Sequence, residues 1–185
     1  LETEDWHDVY IGRRAVQWLE ERPKDYPYHM FVSFAGPHDP FDPPTEYADK
    51  YRNREMPPRV IDTGEGKPER VRKRMVRIDK RSEEELLHLR RQYCAAITAV
   101  DDMVGEILAA AEARDDGRET YIIFSADHGE MMCDHSLPIK HQTYEPSWRV
   151  PLIISGPGLP EGEVSEALVE LIDVGETVAD LAGST

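Results

Sequence analysis

Cysteine is nearly absent: Cys94 and Cys133 are the only two in 185 residues. Two thiols exclude a disulfide framework and a cysteine-rich zinc site, and they leave the compartment open between cytoplasm and the space outside it. Long apolar runs are missing too. No stretch approaches the ~20 residues that span a bilayer, so no membrane segment is expected. Basic residues are a minority, 22 Lys and Arg against 37 Asp and Glu, giving a net charge of −15. That balance argues against nucleic acid or an anionic membrane as a partner. Aromatics make up only 8%, yet hydrophobic residues reach 39%, above the disordered range. Leu1 to Tyr10 is acidic and aromatic and does not read as a signal peptide. The initial Leu in place of Met is what an excised or processed piece would show.

What is present alternates between helix and strand patterns. Val9, Val16, Trp18 and Leu19 sit among charges at helical spacing, so residues 7–22 read as an amphipathic helix ended by Pro23. His29-Met-Phe-Val-Ser-Phe34 reads as a buried strand. Ala35 to Thr45 carries four prolines and must be a loop. A short helix is expected near 47–54, then a surface excursion to 68. Residues 50–91 hold 14 Lys and Arg against 8 Asp and Glu. Such a basic stretch is ordinarily a solvated face, and it would also steer an anionic substrate.

Ser82-Glu-Glu-Glu85 is a capping-box signature. Leu86, Leu89, Tyr93, Ile97, Val100, Val104, Ile107 and Ala111 follow at three- and four-residue steps. They predict one long helix over 83–114 with a single apolar face, stopped by Asp115-Asp-Gly117. Residues 119–125 and 150–155 read as buried strands, separated by a polar loop, and 173–182 as a last helix. The alternation predicts an α/β sheet with helices on its faces. Ligands of such sheets gather at the carboxyl ends of strands.

Two loops at those ends carry the chemistry. One runs Asp127-His-Gly-Glu-Met-Met-Cys-Asp-His135, then Lys140-His-Gln-Thr-Tyr-Glu145 and Arg149. A carboxylate and an imidazole at a strand mouth suit a metal ion. Lys140 suits one oxygen of a phosphate or sulfate. A plain polar loop with helix caps is the competing reading. The other loop holds His38 between prolines, placed for proton transfer or for a structural hydrogen bond. Trp148 reads as packing, and Asp101-Asp102 as a cap or ion-pair partner. His135 and His141 read as hydrogen-bonding groups.

Taken in order, these segments resemble the sulfatase family. Phe31-Val-Ser-Phe-Ala-Gly-Pro-His-Asp-Pro-Phe41 is similar to its F-x-S-F-x-x-P-H-x-P-F segment. Tyr93 to Ile107 resembles the following long helix. Ser125-Ala-Asp-His-Gly-Glu130, Asp134-His135, Lys140, Tyr144-Glu145 and Arg149-Val-Pro-Leu-Ile153 resemble the metal and sulfate loop. The resemblance implies an alkaline phosphatase-like α/β fold, three layers with helices on both sheet faces, incomplete in this chain. It implies hydrolysis of a sulfate ester on a small molecule or carbohydrate by a formylglycine nucleophile. A divalent cation is implied as well, calcium first, with manganese or another transition metal as the alternative. By motif position, Asp127 and His128 would be metal ligands, and Lys140 and His38 catalytic contacts to the substrate.

The departures are equally specific. The Cys/Ser-x-Pro-Ser-Arg nucleophile motif is absent, and neither Cys94 nor Cys133 stands in such a setting. The family's paired-aspartate strand and C-terminal subdomain are also absent. Residues 1–185 therefore read as part of a sulfatase catalytic domain. Alone, the piece is expected to be inactive, a poor metal binder, and prone to self-association through exposed sheet edges. Many relatives carry Asn where His128 stands. The imidazole keeps a phosphonate monoester or phosphodiester hydrolase of the same superfamily open, as does a non-catalytic domain descended from a hydrolase.

Overall fold

A computed structural model describes residues 1–114 and 116–184. The chain forms two compact units. The first comprises Leu1–Arg118 with Met131–Ile139, and the second Glu119–Glu130 with Lys140–Thr185.

In the first unit, α1 spans His7–Glu21, α2 Thr45–Tyr51, α3 Glu69–Asp79 and α4 Glu83–Glu112. The predicted capping box is present. Glu85 N–H donates to Ser82 Oγ at 3.2 Å, and Ser82 N–H donates to the Glu85 carboxylate at 2.7 Å. The Ser82 N–H, and then the Ser82 hydroxyl, hold the Glu85 carboxyl below its ordinary range. Asp115, expected to help stop α4, lies outside the described residues.

The buried stripe of α4 includes Leu86 as expected, and its most buried part is formed by alanines that the pattern did not count. Ala95, Ala96, Ala99 and Met103 pack on Trp6, Val9 and Tyr47, whereas Ile97 stays exposed. Alanines let α1 and α2 approach the α4 backbone closely, which bulkier side chains would prevent. Asp102 accepts a hydrogen bond from Tyr47 OH at 2.7 Å, so its role is structural. Burial and the neighbouring Asp102 push the Tyr47 hydroxyl well above its usual range.

Residues 29–34 are extended but form no strand, which corrects the sequence expectation. Odd positions 29, 31 and 33 are exposed and even positions 30, 32 and 34 half-buried. The pleat is therefore there, but among the described residues no ladder partner pairs with it. Phe31 stays 84% exposed. The loop that follows is anchored by Asp8, fully buried in the first turn of α1. Its two carboxylate oxygens accept the N–H groups of Ala35 and Gly36, each at 2.8 Å. A Cβ at Gly36 would lie 2.3 Å from Asp8 Oδ2, so only glycine permits this grip.

The far end of α1 is closed by Arg114. Its side chain is 4% exposed and pairs with Asp116 at 2.9 Å. The guanidinium donates to the carbonyls of Leu19, Arg22 and Pro23. The Leu19 carbonyl lies in the last turn of α1, the Arg22 carbonyl at its cap and the Pro23 carbonyl just beyond, and a cation suits the negative end of the dipole.

The excursion 57–67 latches the segment 131–139. Arg59 Nη1–H donates to the Cys133 carbonyl at 3.1 Å, Val60 N–H to Asp134 Oδ1 at 2.9 Å, and His135 N–H to the Val60 carbonyl at 2.6 Å. His135 Nδ1 lies 3.1 Å from Asp62 Oδ2, and Lys67 Nζ 2.9 Å from the same oxygen. The latched segment holds Met132, Cys133, His135, Ser136 and Ile139 at positive φ. Left-handed backbone of this kind costs roughly 1–2 kcal/mol per L residue, so the latch offsets stored strain.

In the second unit β1 spans Ile122–Ser125 and β2 Leu152–Ser155, paired antiparallel with Ile122 opposite Ser155. A short helix, α5, covers Glu145–Trp148, and α6 Leu171–Leu181. The strands were expected to be buried. Phe124 and Ile153 instead remain 41% and 60% exposed, and α6 buries no residue. Among the described residues no helix is long and apolar enough to cross a membrane.

Two outcomes follow from the first unit. Arg114→Met removes charged hydrogen bonds from three carbonyls, one of them buried, and chemical denaturation should register a loss of about 2–3 kcal/mol. The second concerns acid. The Gly64 N–H, then Lys67 and His135, hold the Asp62 carboxyl down at about 2, against an ordinary 3.8. A carboxyl lowered by folding stabilises the fold above its ordinary value, and that stabilisation is lost as pH falls through the folded value. Stability should therefore decline between about pH 4 and pH 2 through this group, and Asp62→Asn should flatten that part of a urea-midpoint-against-pH curve.

Candidate functional site

The second unit carries a pocket of about 280 Å³ lined by Asp127, His128, Lys140, His141, Ser147 and Trp148. Its construction starts at the carboxyl end of β1. Gly129 N–H donates to the Ser147 carbonyl at 2.9 Å. A Cβ at Gly129 would fall 2.0 Å from the Pro146 carbonyl oxygen. Glycine alone lets the strand exit lie against the backbone of α5, and that contact sets Asp127 and His128 beside Ser147 and Trp148. Pro146 occupies the first turn of α5, where its missing N–H has no helical partner to lose. Trp148 N–H donates to the Tyr144 carbonyl at 3.1 Å, which completes the turn.

Asp127 and His128 form a mixed oxygen and nitrogen pair. His128 N–H donates to Asp127 Oδ1 at 2.9 Å. His128 Nδ1 lies 2.9 Å from the Gly129 carbonyl, which only accepts, so Nδ1 carries the proton. In the neutral ring Nε2 then presents its lone pair, 3.5 Å from Asp127 Oδ2. A backbone carbonyl that fixes the tautomer in this way prepares the other ring nitrogen as a ligand. Bonds of about 2.0–2.6 Å to nitrogen and oxygen let both atoms reach one divalent cation. Asp127 is 87% exposed and His128 39%. The donor set fits a metal as two ligands. Among the described residues no group of three or more His, Cys, Asp or Glu converges on one ion.

The structure thus brings together three of the four residues singled out by sequence: Asp127, His128 and Lys140. His38 belongs to the first unit, in the loop gripped by Asp8. Its Nδ1–H donates to the Asp39 carbonyl at 2.7 Å, and Nδ1 stands 3.3 Å from the Asp39 carboxylate. His135 is part of the latch in the first unit. Arg149 and Glu145 stand 3.8 Å apart and more than 80% exposed, too open a pair to hold the loop down. His141, at φ +75°, lines the pocket. Trp148 was expected to pack and instead is 71% exposed on the pocket wall.

A family model described as Sulfatase matches residues 5–184. The chain belongs to the sulfatase family. An arylsulfatase of Clostridium perfringens is 31% identical over 180 residues, which is 94% of this chain and 37% of that protein. The sulfatase chain thus spans little more than a third of that relative. Its fold is that of a solved protein, BT4656 in complex with its substrate D-glucosamine-2-N,6-O-disulfate, with TM-score 0.83 and 21% identity over 97% of this chain and 49% of that one. The phosphonate monoester hydrolase of Silicibacter pomeroyi is similar at TM-score 0.77 and 25% identity, covering 99% of this chain and 39% of its own. These likenesses place the two-stranded sheet in an alkaline phosphatase-like α/β fold, of which this chain shows a part.

The donor pair gives a direct test. In the full-length protein, titrated manganese or calcium should raise the melting temperature. Asp127→Ala and His128→Ala should each weaken that response at least tenfold in apparent affinity. An unchanged response would remove the pair from the metal site.

Proposed function

We propose that the full-length protein is a sulfuric ester hydrolase and that this chain is part of its catalytic domain. The observation that carries the reading is the single pocket holding Asp127, His128 and Lys140, in a chain matched by the sulfatase family over residues 5–184. Asp127 and His128 would hold a divalent cation, and the ion would supply positive charge to the ester's oxygens. Calcium is the first choice by family likeness, while the His128 nitrogen also suits manganese or another transition metal. A formylglycine nucleophile and the remaining ligands would come from sequence outside this chain.

This chain's own residues bind and move protons. Lys140 sets an ammonium against a sulfate oxygen as negative charge shifts toward the leaving group. His38 has Nδ1–H held by the Asp39 carbonyl, so in its imidazolium form Nε2–H would be the group that hands a proton to the leaving oxygen. The outer edges of β1 and β2 have no ladder partner among the described residues. They support pairing with further strands of the whole protein, and self-association of the isolated piece. A sulfated small molecule or carbohydrate is the proposed substrate.

A second reading, a phosphonate monoester or phosphodiester hydrolase, is favoured by one feature, the imidazole at position 128 beside Asp127. Turnover of an aryl sulfate and of a phosphate diester, measured side by side on the full-length protein, separates the two. Sulfate turnover should exceed diester turnover. Lys140→Ala and His38→Ala should each lower kcat by about 10²–10⁴-fold. Unchanged rates would take those residues out of the mechanism.

A further inference from the structure

Positive charge is concentrated in one part of a strongly acidic chain, and the first unit gathers some of it around a groove. That groove, about 120 Å³ between α2 and α4, is lined by Ala48, Asp49, Arg52, His88, Arg91 and Gln92. It shares no residue with the pocket of Asp127 and His128. We propose that it binds a small tetrahedral oxyanion, sulfate or phosphate. The inference does not depend on the hydrolase reading.

The sequence builds the groove at helical spacing. His88, Arg91 and Gln92 stand three and four residues apart on one face of α4. Ala48, Asp49 and Arg52 face them from the end of α2. Ala48 is the one apolar residue of the lining, and its single methyl leaves open the space that a longer side chain would fill. Arg91 is oriented through its Nε–H, which donates to the Arg54 carbonyl at 2.9 Å. Its terminal NH₂ groups bond to no described residue and remain for a ligand. Gln92 Nε2 lies 3.4 Å from His88 Nε2, so these two side chains hold each other in place. Guanidinium, amide and imidazole N–H groups all donate to an oxyanion, and one guanidinium meets two of its oxygens at once. The volume is several times the ~30 Å³ that one water takes in the liquid, so a tetrahedral ion fits.

The charge agrees with the donors. Asp49 is the only acid in the lining, and it is paired with Arg52. Arg54 and Arg90 add to the field, since both lie close enough to act on the Cys94 thiol, less than one turn beyond Arg91. Residues 50–91 hold 14 Lys and Arg against 8 Asp and Glu in a chain of net charge −15. An anion is therefore drawn to this face by a local field that the rest of the chain opposes. Asp49 holds Arg52 at the groove and also weakens that field. This double role gives the site a signature, because removing the one negative charge should tighten binding.

The test is calorimetric titration of the full-length protein with sodium sulfate and with sodium phosphate, against sodium chloride at equal ionic strength. A Lys140→Ala background keeps the pocket of the second unit from contributing. Sulfate or phosphate should bind at one site, and chloride should not. Arg52→Ala and Arg91→Lys should each weaken binding about tenfold: the first leaves Asp49 unbalanced, and the second keeps a charge but loses the fork. Asp49→Asn should tighten binding about threefold, which a merely structural role would not do. The Arg52 and Asp49 side chains are 70% and 51% exposed, so their variants test the site even where Arg91→Lys unfolds. Binding heats that none of the three variants changes, or an equal response to chloride, would overturn the proposal. So would absence of binding to the unaltered groove together with a lower melting temperature in Arg52→Ala, because the groove then receives another part of the protein. A preference for sulfate or for phosphate supports the site and names its ion. Turnover is not part of this readout. Binding that Asp49→Asn tightens, in a protein that cleaves no ester, upholds the site and removes the hydrolase reading. Ester cleavage without such binding does the reverse.

Discussion

A fully buried carboxylate governs the first unit. Asp8 is out of water at the start of α1, and an isolated charge there would be strongly unfavourable. Two consecutive backbone N–H groups, from Ala35 and Gly36, satisfy it, and His7 Nε2 stands 3.2 Å away. The grip reaches across 27 residues and fixes the loop that bears His38. Were Asp8 removed, two backbone donors would lose their partner and the proline-rich loop its anchor. In the second unit the matching constraint is steric. Gly129 against the Pro146 carbonyl gives the Asp127-His128 pair its position.

Both constraints act on backbone rather than on the reactive groups themselves. Asp127 and His128 stay exposed, and the His128 tautomer is set by a main-chain carbonyl. The site is therefore preorganised by peptide groups, whose positions do not depend on the flexible tips of long side chains. Lys140 sits just beyond the strained, latched segment 131–139. Strain of that kind concentrates where a backbone must take one path and not another.

Local signals survived the passage from sequence to structure, and distant ones did not. The Ser82-Glu85 cap, the proline-rich loop, the α1 and α4 helices and the Asp127-His128-Lys140 cluster were legible because each is encoded within a few residues. Residues 29–34 read as a strand and are only extended, since a strand requires a partner that no described residue provides. The apolar stripe of α4 was legible apart from Ile97, which is exposed, but it left out Ala95, Ala96 and Ala99, because alanine counts little in a hydrophobic pattern, yet it decides how closely helices approach. Nothing in the sequence joined Asp62 to His135 across 73 residues. Trp148 was assigned to packing on general preference for tryptophan.

The Arg114 contact has a temporal side. It joins a guanidinium to the Leu19 carbonyl across 95 residues. Chains grow from the amino end at about 5–20 residues per second. Helix α1 thus emerges from the ribosome several seconds before the arginine that will close its tail. Until then its last carbonyls face water and its end frays. The end of α1 thus closes only once the long helix has been made, and any pause in translation between Leu19 and Arg114 lengthens that exposure.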